Sequence, residues 1–491
     1  MIAMTDSGYK DITTEQRNSN PFAKLVPGQT IVEIPEYQLE CGETLYNFPV
    51  AYKTWGRLNN DRDNALLICH ALTGSSDVQD WWGPLLGTDK TFDPSRFFII
   101  CINFLGSPYG SCSPVSIDKS TGQPYGPSFP LVTVKDDIGI QKLILDSLYI
   151  KGIACVIGGS MGGMLALEYS ATYNDTGYVK SVIALATSAR ASAWCISWNE
   201  TQRQCIFTDP YYDDGYYYEN TIKPDAGLSS ARMAALLTYR SRNSFETRFG
   251  RKLGLQKSSS INSQLSPEEK LKQEEVEKGI RYPKTKDEEH WLLHNEGSRS
   301  QLNMSSMMLN NGATKGVNQD KKPPTYFTAQ SYLRYQGNKF VNRFDANCYI
   351  SITRKLDTHD ITRGRVDPDD TIDSNHDPLP GYLQTLSAPH LIVGIQSDGL
   401  FIFAEQELLA ENIPDSDLKK LSSPEGHDAF LLEFELINDY CLNFLKSKLP
   451  EYYDKDSGKV DLFEDWAEYV VDVDNGGNSV FGEAEKNITN W

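Results

Sequence analysis

No stretch of this 491-residue chain approaches the ~20 consecutive apolar residues that a membrane helix needs, so a membrane partner is not expected. The opening segment, Met1 to Asn20, lacks the apolar core of a secretory leader, and Asp6, Asp11 and Glu15 interrupt any Arg-rich transit pattern. C-x-x-C pairs are missing too. The nine cysteines are odd in number and scattered, and Cys69, Cys101 and Cys155 sit in apolar runs where a thiol packs as a small hydrophobe. That usage points to a reducing, cytoplasmic setting with no disulfide framework. Positive charge is also scarce: 47 Lys and Arg stand against 66 Asp and Glu, a formal charge of −19. The basic face that nucleic acid demands is therefore not expected, although a few local cations can still seat an anion. A P-loop, a G-x-G-x-x-G turn in a nucleotide-binding context and a metal-ligating constellation are all wanting, so neither a bound metal nor a permanent cofactor is expected.

What is there is a globular composition, 40% hydrophobic and 23% charged, in a chain long enough to bury a large core. Short, β-branched runs that are apolar on both faces read as buried strands of a mostly parallel sheet: Ala65–His70, Phe97–Asn103, Ile153–Gly158, Ser181–Ala186 and His390–Ile395. A shorter strand is expected at Leu418–Leu421. Helical periodicity at Val134–Leu148, Gly162–Tyr173 and Phe401–Leu409 completes βαβ units, and Ala429–Phe444 reads as a closing helix.

The predicted organisation is an N-terminal extension over 1–30, an α/β core over 31–189 and 350–445, and a helical cap inserted over 190–349. Within the cap, about 250–324 turns polar and loses apolar periodicity, with runs such as Pro267–Lys278, and reads as a flexible, partly disordered excursion with one solvated helix. An acidic extension follows over 446–491.

The strongest chemical signal is Gly158-Gly-Ser160-Met-Gly162, a G-x-S-x-G with a buried strand before it and a helix after it. A nucleophile on so tight a strand-to-helix turn needs neighbours without side chains. The helix beneath it offers free N–H groups to a developing oxyanion. The partners of Ser160 are expected downstream, in the order acid then histidine. Asp398 follows the strand His390–Ile395, where such acids belong. Only seven histidines compete for the other place. His290 and His294 fall in the polar excursion, His359 and His376 in an Asp-rich loop region, His390 opens a strand, and His70 precedes Ser160. His427, in a loop after the last strand, is left. His427 then deprotonates Ser160, and Asp398 fixes the imidazole tautomer. Oxyanion donors are expected from the backbone N–H groups of Met161 and Leu72, with His70 supporting the Leu72 loop by a hydrogen bond.

Several stretches together resemble the MetX-type homoserine O-acyltransferases, and the fungal homoserine O-acetyltransferases most closely. They are His70–Gly74, Asn103–Ser107, Gly158–Gly163, Trp198–Gln204, Gly227–Met233 with Thr238–Arg240, Ser397-Asp398 and Glu425–Phe430. The resemblance spans about Ala51 to Phe444. It implies an α/β-hydrolase fold with an inserted helical cap and, in agreement with the reading above, Ser160, Asp398 and His427 as a triad. It further implies Arg232 on the carboxylate of L-homoserine, Asp428 on its ammonium and Tyr239 in the same pocket, with Arg203 and Arg240 as competitors for the carboxylate or for coenzyme A. The implied reaction is transfer of acetyl from acetyl-CoA, a co-substrate, to the L-homoserine hydroxyl, a step of methionine biosynthesis, in a homodimer. The rival readings are an acyltransferase that takes succinyl-CoA, serine or a secondary-metabolite alcohol, an esterase or thioesterase on the same machinery, and a catalytically silent scaffold.

Overall fold

The computed structural model describes residues 8–252, 285–295, 327–366 and 377–454. The described residues fall into two compact units, one running to Ser244 and resuming at Gln336, the other lying between Phe245 and Tyr335.

The first unit is built on a nine-stranded sheet. Its strands are β1 (Lys10–Asp11), β2 (Thr30–Gln38), β3 (Thr44–Trp55), β4 (Ala65–Cys69), β5 (Phe98–Ile102), then β8 (Ile153–Gly159), β9 (Val182–Leu185), β10 (His390–Ile395) and β11 (Ser416–Leu421). Two further strands, β6 (Ile117–Asp118) and β7 (Gln123–Pro124), form a separate ribbon. The order across the sheet is β1-β2-β3-β5-β4-β8-β9-β10-β11. Pairing is antiparallel from β1 through β5 and parallel from β5 onward.

The parallel strands are apolar on both faces because both faces are covered. On β9 and β10, Ile183, Leu185, Leu391, Val393 and Ile395 join one hydrophobic cluster with Trp82, Phe97 and Phe430. The alternate residues Ala184 and Ile392 join a second cluster with Leu167, Leu383 and Leu409 on the opposite face. The flanking helices include α1 (Val134–Ser147), α2 (Met161–Thr172), α6 (Phe403–Asn412) and α7 (Phe434–Lys448), with α3 (Ala193–Phe207), α4 (Asp225–Tyr239) and α5 (Ala346–Asp357) between α2 and α6 in the chain. Eleven residues of α2 are buried, which its nearly all-apolar sequence requires.

Three boundaries differ from the sequence reading. The stretch 1–30 is not a mere extension, because β1 pairs with β2 at the sheet edge and a helix follows at Thr13–Ser19. The predicted cap of 190–349 does not separate as one body: α3, α4 and α5 belong to the unit of the sheet, and the second unit is confined to Phe245–Tyr335. The closing helix begins at Phe434 instead of Ala429, since Gly426–Leu431 forms a tighter helical turn, and it runs on to Lys448 past the expected start of the acidic tail. In the polar excursion the second unit has a helix at Lys286–His294, whereas Pro267–Lys278 and the tail beyond residue 454 lie outside the described residues.

Candidate active site

Ser160 sits where β8 ends and α2 begins, at φ 58° and ψ −127°. A residue with a side chain rarely adopts this backbone, and strain of this kind persists only where the surroundings over-determine it. Here the surroundings are a close approach of two backbones. A Cβ on Gly158 would lie 2.1 Å from the carbonyl oxygen of Gly162, and one on Gly162 would lie 2.1 Å from that of Cys69. Gly158 is thus demanded by the first turn of α2, and Gly162 by contact with β4. The Ser160 N–H donates to Leu185 O at 2.9 Å, and Thr187 Oγ1 donates to Ser160 O at 2.7 Å, so both sides of the elbow are tied to the β9 end.

His427 reaches this hydroxyl from the far end of the sheet. Its Nε2 lies 2.9 Å from Ser160 Oγ and its Nδ1 lies 2.7 Å from Asp398 Oδ2. The other oxygen of Asp398 accepts the N–H groups of Leu400 and Phe401 at 2.8 and 3.0 Å, which fixes the carboxylate plane. Rings of Phe401, Phe430 and Tyr239 surround the imidazole at 5.4–6.0 Å between centroids. All three triad members are buried.

A narrow cavity opens over Ser160. Leu72, Tyr239 and Asp428 are on its wall, along with Asn199 and Gln202 of α3 and Leu356 of α5. The Asn199 amide donates to Asp357 at 2.8 Å, and Gln202 Oε1 accepts from Tyr349 at 2.6 Å. Met161 is the first residue of α2, a position whose N–H has no partner within the helix. Asn199 and Gln202 lie in the matched stretch Trp198–Gln204, but no role was read for them. Polar residues three apart on one helix face, among aromatics, were the available signal.

The predicted substrate residues are placed unevenly. Arg232 is buried, so it is no solvated surface cation. Its guanidinium lies 5.5 Å from the ring of Tyr239 and 5.0 Å from that of Phe340, and Arg232 is not itself on the cavity wall. Asp428 is on the wall, with Oδ2 2.9 Å from Arg240 Nε. Arg240 also donates to Glu425 at 2.7 Å. Arg203 pairs with Glu200 and Asp357 at 2.9 and 2.8 Å. Both competitors for the carboxylate are thereby engaged by acids.

Among the described residues, no histidine other than His427 lines this cavity. His70, His359 and His390 are buried, and desolvation lowers their pKa values to about 4, about 3 and about 4. His376 lies outside the described residues. Beside the triad, burial first and then the charge of Asp398 raise Glu405 to about 7. Among the described residues no group of acids, histidines and cysteines is arranged to hold a metal ion, and no helix is long and apolar enough to cross a membrane. All nine cysteines are free thiols.

Residues 64–434 match the family model of the alpha/beta hydrolase fold. The chain is 52% identical to a homoserine O-acetyltransferase of Saccharomyces cerevisiae, with 97% of each chain covered. It is 45% identical to one of Schizosaccharomyces pombe, covering 100% of this chain and 98% of that one. Among solved structures, a homoserine O-acetyltransferase from Bacillus anthracis superposes with a TM-score of 0.64 at 21% identity, covering 85% of this chain and 97% of that one. Esterase E22 superposes equally well, with a TM-score of 0.63 at 21% identity over 85% and 99%. At that identity the two structures speak for the fold alone.

Proposed function

The chain belongs to the homoserine O-acetyltransferase family of the α/β-hydrolase fold, and from that membership we propose a two-step transfer of acetyl from acetyl-CoA to the hydroxyl of L-homoserine. The observation that carries the mechanism is the unbroken path from Asp398 through His427 to Ser160, two contacts of 2.7 and 2.9 Å.

His427 takes the Ser160 proton as the hydroxyl oxygen attacks the thioester carbonyl. The negative charge that develops on the carbonyl oxygen is met by the N–H groups of Met161 and Leu72. The tetrahedral species collapses by breaking the C–S bond, His427 gives its proton to the departing sulfur, and CoA leaves an acetyl ester on Ser160. In the second half the γ-hydroxyl of homoserine loses its proton to His427 and attacks the ester. Breaking the Ser160 C–O bond returns the proton to Oγ and releases O-acetyl-L-homoserine. Asp398 holds the imidazole with N–H toward itself and steadies the imidazolium in both halves.

Transfer outruns hydrolysis when the alcohol is held better than water. The narrow wall of Tyr239, Phe401, Phe430 and Leu356 supports that reading. Arg232 is assigned to the homoserine carboxylate, supported by its burial beside Tyr239, since a planar guanidinium suits a carboxylate. Asp428, on the cavity wall, is assigned to the ammonium, with Tyr239 lining the same pocket. Acetyl-CoA enters as a co-substrate, with no resident metal or cofactor taking part. The reading also includes the methionine pathway, a cytoplasmic setting, supported by the nine free thiols, and a homodimer.

The test is purified enzyme given acetyl-CoA or succinyl-CoA with homoserine or serine. CoA release that depends strictly on homoserine and prefers the acetyl donor is expected. Thioester loss at the same rate without any alcohol would make the chain a hydrolase instead.

A further inference from the structure

None of the residues Asn103-Phe-Leu-Gly-Ser107, which follow β5, lines the cavity at Ser160. The segment is nonetheless clamped from two sides. Asp137 of α1 accepts the N–H of Leu105 at 2.9 Å, and Lys355 of α5 donates to the Leu105 carbonyl at 2.7 Å. The two clamping side chains pair with each other at 2.5 Å and both are wholly buried. At Gly106, φ is 85° and a Cβ would meet Ile352 and Ser351 at 3.3 Å, so α5 rests directly on this turn.

Phe104 transmits the clamp. Lys355 Nζ lies 4.6 Å from its ring centroid, and the ring stacks on His70 at 4.1 Å and 21°. His70 Nδ1 in turn lies 3.0 Å from the carbonyl oxygen of Ala71, while Asn103 faces the same imidazole. Burial keeps His70 neutral at physiological pH, so Nδ1–H can donate to that carbonyl. Ala71 and Leu72 are cavity wall, and Leu72 carries an oxyanion donor in the mechanism above.

We propose that Lys355 is a positioning residue for the oxyanion loop: with Asp137 it fixes Leu105, and through Phe104 and His70 it holds the Ala71-Leu72 peptide in register with Ser160. An ion pair this deep is seldom more stabilising than apolar residues of equal volume, so its value lies in the position it dictates. The oxyanion hole tolerates little displacement, because its donors act only near 3 Å from the charge. The helix that supplies Leu356 to the cavity also supplies Lys355. Seating of α5 and readiness of the hole are therefore one event.

The proposal rests on the acyl-transfer reading, and single-turnover acetylation of Ser160 by acetyl-CoA separates the two. Two full-length variants are compared with the unmodified enzyme: Lys355→Met with Asp137→Leu, which removes both charges together, and Phe104→Leu, which leaves the pair intact and removes the ring between Lys355 and His70. In each soluble variant the acetylation rate constant is expected to fall by roughly 10- to 100-fold, a displaced donor costing less than the roughly 10²–10³-fold of one removed outright. Affinity for a boronic acid that mimics the tetrahedral species should fall in parallel, while the Kd for CoA stays within about threefold, less than one mispositioned contact costs. A folded variant that acetylates within about twofold of the unmodified rate, below the cost of one hydrogen bond, overturns the proposal. So does an equal loss of CoA and boronate affinity, which is what general loosening of the cavity would give. If the unmodified enzyme forms no acetyl-Ser160, the acyl-transfer reading itself fails.

Discussion

Asp398 divides its two oxygens between two duties: Oδ2 meets His427 Nδ1 at 2.7 Å, while Oδ1 takes the backbone N–H groups of Leu400 and Phe401. In Asp398→Asn the amide oxygen must stay with those two N–H donors, which turns its NH₂ toward His427. Nδ1 then becomes an acceptor and the imidazole proton moves to Nε2, where it cannot take the proton of Ser160. A loss of about 10⁴-fold in kcat is expected with little change in stability. Kinetics and a thermal melt of the same preparation check both halves.

The elbow glycines differ in what a methyl group would meet. At Gly162 a Cβ meets the carbonyl of Cys69 at 2.1 Å, and backbone cannot step aside. At Gly163 the contact is the Thr187 side chain at 2.6 Å. Gly162→Ala should therefore cost about 3 kcal/mol or more, and Gly163→Ala about 1–3 kcal/mol, by the usual penalty for overpacking. Urea unfolding of the two variants gives the order directly.

Acid stability follows from three buried histidines. His70, His359 and His390 titrate at about 4, 3 and 4 in the folded chain, against 6.5 when exposed. Below pH 6.5 the unfolded chain binds protons that the folded chain refuses, so stability present above that pH is lost as it falls toward about 4. Each group contributes a slope of roughly 1.4 kcal/mol per pH unit within that window. Glu405 opposes them: an acid raised to about 7 stabilises the fold at low pH and loses that contribution as pH climbs from its exposed value of 4.5 through 7. His359→Gln should flatten the fall by about one proton between pH 6 and 4.5. A stability-versus-pH series that is unchanged by the substitution contradicts this assignment.

Arg232→Lys keeps the charge and loses the planar guanidinium that sits 5.5 Å from the Tyr239 ring and 5.0 Å from that of Phe340. The KM for homoserine is expected to rise about tenfold or more, whereas acetylation of Ser160 in the absence of homoserine should change little. Equal losses in both half-reactions would place Arg232 outside the acceptor site.

The parts of the fold that were legible in the sequence are those whose physics is local. Strand His390–Ile395 is apolar on both faces because it is covered on both, and the run stands out in the chain. The G-x-S-x-G elbow was legible for the same reason, since neighbours in sequence make its turn. β2 and β3 went unread because prolines interrupt them: burial along β2 is irregular around Pro35, and the buried run Phe48–Tyr52 of β3 contains Pro49. Contacts between distant residues left no trace either. The pairing of Arg240 with Asp428, or of Lys355 with Asp137, depends on packing that no spacing along the chain encodes. The extent of the second unit escaped for a similar reason. The stretch Arg190–Arg248 is aromatic-rich like a lid, yet helices α3 and α4 within it are contained in the unit of the sheet.

Intact-mass and peptide mass spectrometry of enzyme mixed with acetyl-CoA, with homoserine withheld, tests the covalent step most directly. An added acetyl group on the peptide containing Ser160 is expected, discharged when homoserine is supplied and never formed in Ser160→Ala. Turnover to O-acetylhomoserine with no adduct at any time, or an adduct that persists when Ser160 is replaced, would contradict a mechanism built on that hydroxyl.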